Sequence, residues 1–244
     1  MYRQLNASHI SATASALQSR ILERFPNSGL GQLGAEVSAV SREAIERLLW
    51  INKPHMLLRM AKAALLMAVL AVSGVSMSSL RASELYEVST FIQVLEAGLS
   101  SLFFIGAAII FLATWESRIK RTRALEAIHE LRAMAHIVDM HQLTKAPEAI
   151  FLASRDTASS PKRTLSAFEL NRYLDYCSEL LSILGKISAL YAQSLKDPVV
   201  LDAVDAIEDL TTRLSQKIWQ KITLVDTMQS AARSQQPPVA GKEL

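Results

Sequence analysis

His129, Arg132, His136 and Asp139 stand three, four and three residues apart in the stretch "HELRAMAHIVDMH". Residues at such spacings share one face of an α-helix, so these four form a polar stripe. Imidazole and carboxylate groups on one face suggest a metal site or acid–base chemistry. Zinc ligands on a single helix lie three or four residues apart, so that both reach one ion. His136 and Asp139 meet that condition. His129 is two turns away, about 10 Å along the axis, and would need partners from a second helix, such as Asp175 or Glu179. The H-E-x-x-H signature is absent, because the second histidine comes three residues late. His129, His136 and Asp139 are therefore candidate ligands only, and no metal or other cofactor is expected.

Catalysis is not expected either. The chain has no Gly-rich phosphate loop, no G-x-S-x-G and no strand to hold a nucleophile. Its single cysteine, Cys177, falls on a packing face and reads as a buried apolar thiol. Two other roles for the stripe follow. As a polar seam between helices, Glu130, Arg132, Asp139 and the histidines would pair with Asp175, Glu179, Arg172 or Lys186. Such a seam fixes register at some cost in stability and titrates near neutral pH. Otherwise the stripe is the wet side of a helix that packs by its other face. His141 points about 120° away from His129 and belongs to neither.

The elements that position the stripe are helices. Half of the 244 residues are apolar, Gly and Pro are sparse, and no alternating β-branched runs occur, so almost no strand is expected. Net charge is only +3, without the basic, aromatic-studded face of a nucleic-acid binder. Two uncharged runs dominate: residues 63–80, "AALLMAVLAVSGVSMSSL", and 97–115, "AGLSSLFFIGAAIIFLATW". Each spans about 27–30 Å as a helix, matching a hydrocarbon core of about 30 Å. The first lies too deep in the chain to be a cleaved signal peptide. Arg42, Arg47, Lys53, Arg59 and Lys62 precede it, and Arg118, Lys120, Arg121 and Arg123 follow the second. The connection between the runs is acidic. Positive residues stay inside, so both termini are expected in the cytoplasm of a multi-pass cell-membrane protein. Arg118, Lys120, Arg121 and Arg123 form a cluster suited to anionic lipid headgroups. Glu96 reads either as an intramembrane carboxylate or as the outer edge of the second span. Gly74, Ser78, Ala97, Ser101 and Gly106 permit close helix packing, but two spans line a pore only as several copies.

The remaining helices are amphipathic. Weak examples run over about 11–25 and 33–51, the latter with Leu33, Val37, Val40, Ile45, Leu48 and Leu49 near one face. The second span continues as a stalk helix to about residue 144, with Ala124, Leu131, Met134, Ala135 and Val138 on its dry face and Leu125 and Met140 intruding on the polar side. Ser166-Ala167-Phe168-Glu169 is a capping box. Leu170, Tyr173, Leu174, Cys177, Leu180, Leu181, Leu184, Ile187 and Tyr191 follow in a heptad-like series. Asp197-Pro198 starts another helix, with Val200, Val204, Ile207, Leu210, Leu214, Ile218, Ile222 and Val225 in steps of three or four. These two helices should pair antiparallel, as in a coiled coil.

The predicted fold is an all-α membrane protein: a two-span hairpin carrying a cytoplasmic bundle of three or four helices. Its regions are N-terminal amphipathic helices (1–53), hairpin (54–115, spans about 56–80 and 91–115), stalk (116–144), linker (145–165), antiparallel helical hairpin (166–230) and disordered tail (231–244). In outline the chain resembles bacterial two-span proteins with a cytoplasmic helical extension, some of which disrupt membranes. The expected function is a non-enzymatic membrane protein presenting a helical interaction module, with the lipid bilayer, a second copy and a cytoplasmic protein as partners. Two alternatives are an oligomeric channel or permeabilising effector, and a metal- or pH-responsive sensor built on the stripe.

Overall fold

The computed structural model describes residues 4–53, 56–79, 88–145, 147 and 165–234, and these are helical with no strand among them. Residues 81–87 of the acidic connection, most of the linker and the last ten residues of the tail lie outside the described residues, while residues 88–96 of the connection form the first turns of a helix. The helices are α1 (Ala7–Arg24), α2 (Gly29–Asn52), α3 (Met56–Ser79), α4 (Val88–Leu143), α5 (Ala167–Ser194) and α6 (Pro198–Ser234). They divide into two compact units: Met1–Trp50 with Ala124–Leu244, and Ile51–Arg123.

The first unit is organised around α5. The Ser166–Glu169 capping box starts this helix: the Glu169 amide donates to Ser166 Oγ (3.2 Å), and the Ser166 amide donates to Glu169 Oε2 (2.8 Å). Every member of the heptad-like series from Leu170 to Tyr191 is buried, and so are Tyr176, Ile183 and Leu190. A face that wide needs covering on two sides, and α5 packs against both α1 and α6. Asp197 caps α6 by accepting from the amides of Val199 (3.0 Å) and Val200 (3.4 Å). The α5–α6 pair is antiparallel: Asn171 Nδ2 donates to Asp226 Oδ1, while Gly185 lies against Thr211. A Cβ at Gly185 would sit 3.2 Å from Thr211 Oγ1, so the missing side chain lets the helices approach closely. Thr211 is buried there and Leu210 is only half-buried. Leu210 falls about 80° from the centre of the buried stripe, which corrects its expected place.

The N-terminal helices belong to this same unit rather than to a region of their own. With the end of α4 they bring it to five helical segments, against the three or four expected. Asn6 caps α1, accepting from the amides of Ser8 (2.9 Å) and His9 (3.4 Å), so the helix begins earlier than its apolar pattern suggests. Asn27 takes a left-handed φ of 57°, and Ser28 Oγ accepts from the Gly31 amide (3.0 Å) to start α2. The α1–α2 contact runs through small polar residues. Ser15 Oγ lies 3.1 Å from Ser38 Oγ, and Ser41 Oγ lies 3.2 Å from Ser11 Oγ. Ser38 and Ser41 are fully buried. In α2, Leu33, Val37, Val40 and Leu48 are buried as expected, whereas Leu49 is exposed and Ile45 half-buried. Both lie more than about 100° from Leu33 around the helix; Leu30, Ala44 and Ile51 complete the face instead.

The last five turns of α4 complete the core. Ala124, Leu131, Met134, Ala135 and Val138 are all buried, together with Ala127 and Ile128. Substituting Ser38 by leucine overpacks the α1–α2 contact and should cost about 1–3 kcal/mol. Removing the Asp197 cap as Asp197→Ala should cost about 1 kcal/mol. Thermal unfolding of the purified chain, followed by far-ultraviolet circular dichroism, measures both.

Candidate functional site

Within the unit Ile51–Arg123, no described side chain of α3 or α4 is buried and most are exposed. Met56, Met60, Leu66, Met67 and Leu70 of α3 are exposed, as are Leu95, Leu99, Leu102, Ile110 and Phe111 of α4. Phe103 and Phe104 stand edge to face with centroids 5.8 Å apart, yet each exposes about 70 % of its surface (72 % and 70 %). One helix, α4, is long and apolar enough to cross a membrane, and none of its apolar window is buried. A soluble core helix of this composition would be covered. The described apolar stretch of α3 is shorter, Met60–Ala71.

A polar level closes one end of this surface. Glu116 lies 3.2 Å from Lys120 and 3.9 Å from Lys62, joining α4 to the beginning of α3. Trp115 is exposed one residue before Glu116 and stacks obliquely on Phe111 (5.3 Å). An indole at the boundary between an apolar and a charged level suits a membrane interface. In the basic cluster, Arg118 and Arg123 are exposed, while Lys120 and Arg121 are half-buried. Glu96 is exposed near the other end of the run.

The stripe of His129, Arg132, His136 and Asp139 is the outer side of α4. His129, Arg132 and His136 are exposed, and Asp139 is half-buried. Asp139 accepts from Gln142, which is buried and in turn accepts from Lys221 on α6, by its carbonyl (2.8 Å) and its side-chain oxygen. Polar contacts between helices therefore run beside the expected seam rather than through it. Glu130 pairs with Arg47 of α2 (2.7 Å), which also holds Glu43 (2.8 Å). Glu179 pairs with Arg20 of α1, and Asp175 pairs locally with Arg172 (3.2 Å). The cations that bridge helices here come from α1, α2 and α6 rather than from α5. Gln142 and Lys221 give no signal in the sequence, because neither interrupts the apolar pattern of its helix. Among the described residues no three of His, Cys, Asp or Glu are grouped to hold a metal ion. The half-buried His141 lies against the start of α2, where a Cβ on Gly29 would fall 2.6 Å from its Cε1. Its carbonyl accepts from the Tyr173 hydroxyl (3.4 Å).

The exposed side of α4 also carries apolar residues. Ile137, Met140 and Leu143 are exposed, the last two by 66 % and 63 %. All three fall within about 80° of His129. The face is mixed, as interaction surfaces are.

Titration follows packing. Burial pushes the Cys177 thiol up to about 12, opposed by Lys221 and Lys145. Burial likewise raises Tyr173, Asp175 and Tyr191. Glu169 is lowered, because the Ser166 amide and hydroxyl donate to its carboxylate. Compared with known protein families, with characterised proteins and with solved structures, the chain matches none.

A thiol so protonated and enclosed is a poor nucleophile. Cys177 should react with iodoacetamide at pH 8 at least about a hundredfold more slowly in the native chain than in denaturant, read by mass spectrometry. Glu169 has the opposite signature. Its folded-state value is depressed, so the stabilisation it lends to the first turn of α5 is complete above the ordinary carboxylate value of about 4.3. That stabilisation is lost as pH falls through the lower, folded value. The Ser166 amide resonance should report this transition, and Glu169→Gln should abolish it.

Proposed function

We propose that this chain is a non-enzymatic integral membrane protein. The α3–α4 hairpin anchors it with two spans. The unit Met1–Trp50 with Ala124–Leu244 serves on the cytoplasmic side as an interaction and self-association module. The observation that carries this reading is the uncovered apolar surface of α4, for which water is a poor solvent and lipid a good one. The Lys62–Glu116 contact supports the second span, because it joins the first part of α3 to the end of the apolar run of α4, as an antiparallel hairpin requires. The cations Lys53, Arg118 and Arg123, exposed beside the apolar segments, support the cytoplasmic orientation. Ile137, Met140 and Leu143, set among His129, Arg132 and His136, are the surface offered to a second copy or a protein partner.

A second reading, an oligomeric channel or permeabilising assembly, is favoured by one observation. Among the described residues nothing lies within 4 Å of the Cβ positions of Gly74, Gly98 and Gly106, and their smallness leaves room for another helix.

Under the leading reading the chain stays with membranes through an alkaline carbonate wash, and detergent releases it. A cysteine introduced at Glu84 reacts with an impermeant maleimide from outside intact cells, whereas one at Ser234 does not. Release by carbonate alone would refute the anchor. Met140→Asp with Leu143→Asp should lower the oligomeric mass in detergent without loss of helix content. Vesicles loaded with a dye should stay tight at high protein density; leakage would favour the second reading.

A further inference from the structure

A groove of about 670 Å³ opens on the first unit between α1 and the first turns of α5. Its aromatic floor is Phe168 and Tyr176, and its walls carry Arg20, Arg24, Glu23 and Glu169. Phe168 is held in place yet uncovered: the guanidinium carbons of Arg24 and Arg172 lie 5.4 and 5.7 Å from its ring centroid, and the residue is 56 % exposed. Arg20 lies 5.8 Å from the centroid of Tyr176. An exposed phenylalanine fixed by two cations is an anchor without an occupant. The walls balance two cations against two carboxylates, and Arg20 is already paired with Glu179. Such walls do not select an anion or a cation. They suit an uncharged segment with an apolar ring and amide groups.

The chain supplies such a segment at the right end of the unit. The Asn171–Asp226 hydrogen bond fixes the register of α6 on α5. From Asp226 the helix runs eight residues to Ser234, about 12 Å further. Ser166 lies five residues from Asn171 in the same direction, about 7–8 Å along α5. Helix α6 therefore ends just past the level at which the groove begins. The residues that follow, Gln235-Gln236-Pro237-Pro238-Val239-Ala240-Gly241, carry no charge. Extended residues span up to about 3.3–3.6 Å each, so three or four cross the 10–12 Å width of one helix. That reach is enough for Pro237 or Pro238 to meet Phe168. Paired prolines favour the extended, left-handed conformation that docks in aromatic-lined grooves at low entropic cost.

We propose that residues 235–240 fold back within the same chain into this groove, with Pro237 or Pro238 stacked on Phe168 and the glutamine amides facing the Arg24 and Glu169 walls. The groove is then a site for a proline-containing segment, and the chain's own tail occupies it in cis.

The test is cysteine cross-linking of the full chain in detergent, with Cys177 left in place because it is buried. Glu23→Cys is paired with Val239→Cys, and Gln32→Cys, exposed on α2, replaces it as the control partner for Val239→Cys. The expected result is an intrachain disulfide forming at least tenfold faster for the Glu23 pair than for the Gln32 pair. Phe168→Ala, or Pro237→Ser with Pro238→Ser, should bring that ratio close to one while helix content is unchanged. Equal rates for the two pairs would overturn the proposal. So would a disulfide linking two chains, which would place the tail of a second copy in the groove, or a ratio insensitive to both sets of substitutions.

Discussion

Burial of the apolar face of α5 is the constraint on which the first unit depends. Tyr173, Leu174, Cys177, Leu181, Leu184 and Ile187 are shielded together, at about 1.5–3 kcal/mol for each large apolar side chain removed from water. No single neighbouring helix covers so wide a surface. Helix α6 takes one side and α1 another, and the end of α4 brings Leu131, Ala135 and Val138 into the same core. The ion pairs are secondary to this. Arg20–Glu179 and Arg47–Glu130 lie at the surface, where such pairs contribute about 0–1 kcal/mol. Their part is to select which helix faces meet.

The second unit follows a different rule. Apolar residues lie outward along α4, and polar contacts gather at one end around Glu116. The two units thus differ in where they place apolar surface, and the charged residues Lys53, Arg59 and Lys62 at one end of the second unit and Glu116 to Arg123 at the other flank its uncharged runs.

What could be read from sequence was what periodicity encodes. The buried faces of α4 and α5, the Ser166–Glu169 box and the Asp197 cap follow from spacing and from cap chemistry, both local properties. Leu49 and Leu210 were misplaced because each neighbours a true core residue in sequence but lies at the margin of the helical stripe. The membership of α1 and α2 in the core was not legible, because much of their mutual contact is made by small residues, Ser11, Ser15, Ser38 and Ser41 together with Gly31 and Gly34 against Leu22 and Ile21. Serine carries no hydrophobic signal, and its hydroxyl is satisfied just as well by water. The stripe of His129, Arg132, His136 and Asp139 was legible as a face but not as a role. The cations beside it come from far along the chain, Arg47 on Glu130 from 83 residues upstream and Lys221 on Gln142 from 79 residues downstream, and no local pattern announces a pairing at such range.

Contact between α1 and α5 has a bearing on how the chain assembles. Arg20 and Glu179 are 159 residues apart, and the whole apolar stretch of α3 and α4 lies between them. A growing polypeptide presents α1 and α2 long before the helix that shields them exists. Closing so large a loop is slow compared with forming the α5–α6 hairpin, whose strands of contact are close in sequence. The amino-terminal pair must therefore wait, its apolar face partly uncovered, until α5 has been made. The hydroxyl contacts among Ser11, Ser15, Ser38 and Ser41 need no later helix, so the two can already hold each other during that interval.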